Sequence, residues 1–362
     1  GSYAARRARL DLDLTRGQAR VLQAQATLPI ELTYFGARVL EDSLQGSIRT
    51  ADAPFELIQA LVSGIRAPTG KLVANLDVAG TWQHPDLTGS IQVVNGEATL
   101  DTLGIRLKGI QLDIGLFGHA DSLAIRRMVA WNGASAADSI SLTGDIAYAD
   151  YNNARLNLRL AARNFRAIDR RTMARLEVST GPGGISLAGP LLGATLSGGL
   201  IVDRGTVFLP DPELARKQAV DLRFLADSSA LGRAVAARRA SLFQSLALTN
   251  VRVTLGDEVS LRSQEADIRL SGSLNVQRAA VPVFSAALGG RDTIKYVPVL
   301  DGTLRADRGT YTPRFVQREF NVERGGTIVF YPVPDLEPEL NISALHAVKR
   351  ANQPDIRVRA RI

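Results

Sequence analysis

Apolar residues stand at every second position through much of this chain. Leu10, Leu12 and Leu14 alternate with Arg9, Asp11 and Asp13, and the same period returns at Leu72, Ala74, Leu76 and Val78. Leu156, Leu158, Leu160 and Ala162 stand between Arg155, Asn157 and Arg159, and Ile268, Leu270, Leu274 and Val276 share a face with Gly272 between them. Near the end Leu336, Leu340, Ile342 and Ala344 oppose Glu337, Glu339, Asn341 and Ser343, and Ile356 and Val358 alternate with Arg357, Arg359 and Arg361. Side chains two apart on an extended chain share a face, so each stretch predicts a strand with one wet and one dry face. The fold class is all-β.

One phrase recurs. "LTGSIQVVNGEATL" (87–100), "LSGGLIVDRGTVFLP" (196–210) and "LDGTLRADRGTYTP" (300–313) share Leu at the first place, Gly at the third, Ile or Leu at the fifth and Gly at the tenth. Partial copies open at Leu44, Leu142 and Leu270. Asn95-Gly96 tolerates the positive φ of a two-residue turn, so the phrase predicts a hairpin. In that register Val93 opposes Ala98, Ile91 opposes Leu100, Val202 opposes Val207, Leu200 opposes Leu209, Ala306 opposes Tyr311 and Pro313 falls opposite Leu304. The inward glycines 89, 198 and 302 mark a bulge, a close backbone approach or deliberate sheet curvature. Repeated strands favour one repetitive, solenoid-like sheet over two or three ordinary domains.

Helical interruptions are few. "ADAPFELIQALVSG" has Asp52 as candidate N-cap, Pro54 in the first turn, Phe55, Ile58, Leu61 and Val62 at helical spacing, and Gly64 as a stop. "SALGRAVAARRASLFQSL" (229–246) is Ala/Arg-rich and reads as a basic amphipathic helix or an insertion. No apolar run reaches the roughly 18 residues that cross a bilayer. Gly1-Ser2 resembles an expression scar and "DIRVRARI" stops in mid-pattern, so the chain reads as an excised middle piece of a longer protein.

Composition sharpens this picture mainly by exclusion. The 362 residues are 45% hydrophobic but only 6% aromatic, so the dry faces are Leu, Ile, Val and Ala. The net charge of +7 comes mostly from Arg. Those arginines alternate with apolar residues along strands instead of clustering with aromatics, which points to a solvated face or an anionic partner rather than nucleic acid. Cysteine is absent, and His84, His119 and His346 are dispersed, with only the weak pairing of His119 and Asp121. The Gly-rich "GPGGISLAG" lacks the P-loop Lys, and no G-x-S-x-G elbow is present. No catalytic site, metal site or cofactor is expected.

The segment "LTNVRVTLGDEVSLRSQEADIRLSGSLNV", followed by "LDGTLRADRGTYTPRFVQREFNVERGGTIVFYPVPDLEPELNISA", resembles the C-terminal region of the TamB family. That family is the inner-membrane component of the translocation and assembly module. The family's "L-x-G-x-L" strand corresponds to Leu300 to Tyr311. Its "F-x-[VI]-x-x-G-x-I-x-F" strand pair corresponds to Phe320 through Phe330, and its Pro-rich strand to Pro338 through Ala344. The likeness is densest over about 248–348 and looser over about 40–210, where "VAGTWQHPDLTGSIQVVNGEA" matches a repeated phrase of the family. The Ala/Arg-rich insertion and "VFSAALGGRDTIKY" depart from it, and the family's extreme C-terminal segment is not matched.

The resemblance implies an elongated repetitive sheet curled into a β-taco or open groove, apolar inside, polar outside, with one or two short helices. It divides a single β-groove (1–362) into looser N-terminal repeats (1–210), a connector with the Ala/Arg-rich candidate helix (211–250), and the best-matching region (251–362). It implies a periplasmic, non-enzymatic conduit that carries phospholipid between inner and outer membranes. The inner-membrane anchor and a BamA-like outer-membrane partner of the TamA type would be engaged by the full-length protein. The candidate lipid-binding lining is Leu76, Val78, Ile91, Val93, Leu156, Leu158, Leu160, Leu200, Val202, Ile268, Leu270, Leu274, Val276, Leu304, Leu340, Ile342, Ile356 and Val358. Two alternatives stay open: an assembly factor for outer-membrane β-barrel proteins, and a closed β spacer. Alternation alone cannot separate a closed core from an open trough, because both need one apolar face.

Overall fold

Alternation this persistent leaves the backbone extended almost throughout. The computed structural model describes residues 1–33, 36–56, 64–82, 84–118, 121–148, 154–191, 193–209, 246–285, 291–314, 316–334, 338–350 and 353–361. Its 22 strands are joined in one open sheet, and 78% of the described residues are in strands and 1% in helix. The all-β class read from the sequence is the one observed.

The chain divides into two compact units, Gly1–Leu160 with Ala188–Leu191, and Ala161–Leu187 with Leu192–Ile362. The first holds β1 (Ser2–Ala4), β2 (Arg7–Arg16), β3 (Ala19–Thr33), β4 (Gly36–Val39), β5 (Gln45–Pro54), β6 (Ile65–Gly80), β7 (Pro85–Leu100), β8 (Ile105–Phe117), β9 (Ser122–Trp131), β10 (Ser139–Ala147) and most of β11 (Arg155–Arg163). From β1 to β10 these form an antiparallel meander, with β4 folded back on the far end of β3 so that β5 becomes the next neighbour. Tight connections carry it. After β6 the amide of Thr81 donates to the His84 carbonyl at 3.1 Å, and after β7 that of Gly104 donates to Leu100 at 2.9 Å.

The second unit holds β12 (Phe165–Arg170), most of β13 (Ala174–Pro190), β14 (Thr195–Phe208), β15 (Ala247–Arg262), β16 (Ala266–Ser285), β17 (Arg291–Tyr311), β18 (Phe320–Val322), β19 (Gly326–Phe330), β20 (Glu339–Asn341), β21 (Ser343–Arg350) and β22 (Gln353–Arg361). β18 and β19 both run antiparallel to β17, one beyond the other, while β21 and β20 continue the ladder on their far sides. The "F-x-[VI]-x-x-G-x-I-x-F" segment is therefore one interrupted strand rather than two paired with each other. The Tyr331 hydroxyl donates to Glu339 at 2.6 Å, and this bond, with the carboxylate's charge, holds the phenol above its usual range. β14 and β15 lie parallel. Parallel neighbours need a crossover of a dozen residues or more, and the chain between Phe208 and Ala247 supplies the length.

The recurring phrase is not a hairpin. The body of each copy, 87–100, 196–208 or 300–311, lies within one long strand, β7, β14 or β17, so Val93 and Ala98 follow one another along a single edge instead of facing each other. Val93 faces Leu72 and Leu112, Ala98 faces Leu107, and Ala306 faces Leu270 and Gly326. Val202 faces Leu255 across the parallel pair. Asn95, at φ +50°, sits in a bulge where the register shifts against both neighbours. The same tolerance of positive φ that suits Asn-Gly to a turn suits it to a bulge. What decides is supply of partners: β6 and β8 run alongside for nearly the whole of β7, so a turn at 95–96 would leave their backbone groups unpaired.

The third-place glycine of the phrase has a stricter reason. Gly89 has φ +131°, and a Cβ there would stand 1.9 Å from the Asn75 carbonyl oxygen. Gly302, at φ +140°, would meet the Ser273 oxygen at 2.5 Å. Gly144, Gly198 and Gly272 repeat the geometry, so close backbone approach is the observed role.

Asp52 and Pro54, expected as N-cap and first turn, lie in β5, where Ala53 and Pro54 pair with Leu72 and Lys71, and a 3-10 turn begins only at Phe55 and Glu56. Ile58, Leu61 and Val62 of that expected helix, and most of the Ala/Arg-rich segment, lie outside the described residues. In the second unit Ile268, Leu270, Leu304, Ala306, Phe320, Val322, Ile328, Ile342 and Ala344 bury one another in a packed cluster, and Val178, Val202 and Val259 form another.

Two stability outcomes follow from this geometry. Gly302→Ala combines a left-handed strain with a backbone clash and should cost about 2 kcal/mol or more in chemical denaturation. Phe320→Ala empties the larger cluster and should cost about 3–5 kcal/mol.

Candidate functional site

The dry face becomes a site only if strand register brings the apolar positions together. In the first unit it does. Leu12 faces Ala24, Ala24 faces Ile48, Ile48 faces Leu76, Leu76 faces Gly89, Gly89 faces Leu116, Leu116 faces Leu123, and Leu123 faces Ile146. That row crosses eight strands without a polar residue, about 34 Å at 4.8 Å per strand. Parallel to it run Ala74, Ile91, Ile114, Ile125 and Gly144, and then Ala53, Leu72, Val93, Leu112, Met128 and Leu142.

The second unit repeats the device. Val202, Leu255, Gly272, Leu304, Ile328 and Leu340 form one row, and Leu200, Val253, Leu274, Gly302 and Phe330 the next. Beside them stand Gly198, Val251, Val276 and Leu300, and on the other side Gly205, Val259, Leu270, Ala306 and Gly326. Each of these rows includes a glycine, where the neighbouring backbone comes close.

The opposite face carries the charges. Arg49 holds Asp77 with two bonds of 2.6 and 2.7 Å, Arg262 holds Asp267 at 2.6 and 2.9 Å, and Arg359 lies 3.2 Å from Glu323. Exposed pairs of this kind contribute about 0–1 kcal/mol each, so they set which face is wet more than they stabilise the sheet.

The candidate lining residues differ in how far they are covered. Val93, Leu156, Val202, Ile268, Leu270, Leu304 and Ile342 are buried. Leu76, Val78, Ile91, Leu158, Leu160, Leu200, Leu274 and Val276 are half-buried, while Leu340, Ile356 and Val358 are exposed. In the second unit Ile268, Leu270, Leu304 and Ile342 spend their apolar surface on the chain's own core.

An apolar groove of about 440 Å³ opens in the first unit, lined among others by Leu10, Leu12, Ala26, Ile48, Val78 and Trp82, with little polar surface. Val78 alone of the nominated residues lines it. Leu10 and Leu12 stand 51% and 59% exposed above small side chains at Ala24 and Ala26. Sequence reasoning saw the alternation of Leu10, Leu12 and Leu14 but not this groove. The readable signal was the set of small residues, Ala24, Ala26 and Gly46, at the matching register on β3 and β5.

Among the described residues no three His, Cys, Asp or Glu side chains are placed to hold a metal, and no helix is long and apolar enough to cross a membrane. His119 lies outside the described residues; His346 on β21 sets Nδ1 2.7 Å from the Glu319 carbonyl oxygen, with its ring 5.4 Å from that of Phe320. Fold and site together define a repetitive open-sheet protein with a hydrocarbon face and an ion-paired face.

The family model described as the TamB C-terminal domain matches residues 131–362, and the chain belongs to the TamB family. No curated protein and no solved structure matches it. The family is a component of the bacterial envelope, connected with the translocation and assembly module, and membership fits a role in outer-membrane biogenesis and lipid transport at family level. It is not known as an enzymatic family. The groove at Leu10 to Pro85 precedes the matched residues.

Exposure separates two kinds of dry-face position. Leu12→Asp, at 59% exposure, should leave stability within about 0.5 kcal/mol and reduce uptake of an apolar fluorescent dye. Ile342→Asp, at 4% exposure, buries a charge without a partner and should unfold the second unit, read by circular dichroism.

Proposed function

We propose that this chain is a non-enzymatic piece of a periplasmic lipid conduit. Phospholipid acyl chains lie along its apolar rows on their way between inner and outer membranes, within a longer protein anchored in the inner membrane and partnered at the outer membrane by a BamA-like protein of the TamA type. The observation that carries the reading is the unbroken row from Leu12 to Ile146, whose Leu12, Ala24 and Ile48 line an open groove.

The energetics suit passage. Each methylene removed from water gains roughly 0.8 kcal/mol, and a face made of similar rows offers similar gain at successive positions. A hydrocarbon tail on such a surface is held without any one position becoming a trap. Leu76, Val78, Ile91, Leu158, Leu160, Leu200, Leu274 and Val276, half-buried at most, are the nominated residues best placed to touch it. The buried Ile268, Leu270, Leu304 and Ile342 act as its floor.

The packed cluster of the second unit supports a competing reading, a closed β spacer over that stretch. Photo-crosslinkers at Leu12, Leu158 and Leu274 separate the possibilities. Phospholipid adducts at all three are expected of the conduit. Adducts with unfolded barrel protein would favour an assembly factor, and absence of any adduct at Leu274 would favour a spacer there. Leu158→Glu should abolish most phospholipid co-purification in native mass spectrometry with the sheet still folded.

A further inference from the structure

A cleft of about 590 Å³ opens on the wet face of the second unit, across β12 to β16. Its charges are mostly committed to one another. Arg175 lies 3.0 Å from Asp169, Arg166 bridges Asp169 and Glu177 at 3.5 Å each, and Arg204 lies 2.5 Å from Glu177. This chain of ion pairs forms one wall.

The other wall is different. Thr206 and Ser260 face each other across the parallel pair, with hydroxyl oxygens 3.1 Å apart, and Ser260 faces Arg269 on β16. Arg269 in turn directly faces Arg308 on β17. Among the described residues neither guanidinium has a hydrogen bond or ion pair. Like charges directly opposite one another on a sheet are destabilising, and here register forces the pair together beside two hydroxyl groups. Glu258 faces Arg204, so with Arg308 included the cleft sets five guanidinium groups against three carboxylates.

We infer that this wall, Arg269 and Arg308 with the Thr206 and Ser260 hydroxyls, is a binding site for a phosphate group. Two guanidinium forks, with the one O–H that the paired Thr206 and Ser260 hydroxyls leave free to donate, match a compact oxyanion with several acceptor oxygens, and the bound anion relieves the repulsion that the register imposes. The site is on the face opposite the apolar rows, so it stands or falls independently of the conduit. The phosphate is either a free ion or the headgroup of a lipid presented from a bilayer.

Equilibrium dialysis of the full chain with inorganic phosphate, against chloride at matched ionic strength, tests the free ion. Sedimentation with phosphatidylglycerol vesicles, against vesicles of a glycolipid without phosphate, tests the headgroup. Saturable binding in either assay, weakened about tenfold or more by Arg269→Gln and separately by Arg308→Gln, is the expected result. Arg357→Gln, on β22, should bind as the wild type does. Absence of saturable binding in both assays, or binding that neither variant weakens, overturns the site.

Discussion

Cross-strand register is the constraint on which the rest of this sheet depends. With a side-chain period of two, a slip of one residue anywhere would carry a strand's leucines to the wet face and its arginines to the dry one. The chain pins register repeatedly. At Gly89, Gly144, Gly198, Gly272 and Gly302 the adjoining strand comes so near that only a residue without a side chain fits. On the other face Arg49 with Asp77 and Arg262 with Asp267 link neighbouring strands in the same alignment. Individually weak, these contacts matter because every apolar row is assembled from seven or fewer pairwise matches in series, and one mismatch would interrupt it.

The two units use the same rows differently. In the first, Leu10 and Leu12 remain open to solvent and small residues beneath them leave a groove. In the second, Phe320 and Val322 on the short β18 meet Leu304, Ile342 and Ala344, and the apolar surface is satisfied internally. The bulky side chain makes the difference: Phe320 is one of only 11 phenylalanines in the chain, and it fills space that a lining of Ala and Val leaves empty. Aromatic bulk therefore acts locally: Phe320 fills the cluster of the second unit, whereas the exposed Trp82 borders the open groove of the first.

Strand identity and facing were legible in the sequence, because alternation of Leu with Arg, Asp or Asn needs no knowledge of neighbours. Leu156 to Leu160 and Ile268 to Val276 show it. Strand ends were not legible. Asn95-Gly96 carries identical local chemistry in a turn and in a bulge, and the choice was made by β6 and β8, which lie outside any window centred on that pair. At Asp52-Ala53-Pro54 pairing with Lys71 and Leu72 carries the strand through the expected N-cap and first turn, so a helix start at Asp52 is displaced. The groove went unseen because it arises from five separate strands whose small and large residues meet only after registration. Likewise, Arg269 and Arg308 look like ordinary solvated charges until the β16–β17 ladder sets them face to face.

The parallel contact between β14 and β15 has a consequence for how the molecule reaches this state. Connections such as β6 to β7 and β7 to β8 close over a handful of residues, whereas joining β14 to β15 closes the span from Phe208 to Ala247. For a loop of about 40 residues against one of about 4, closure entropy adds about 2 kcal/mol, and it must be met before any cross-strand bond forms. Low-separation pairings therefore assemble quickly on each side, and the seam is the slow, high-contact-order step that joins them. A nascent chain would hold β14 with a free edge until β15 arrives, and that interval is when unwanted association is most easily made.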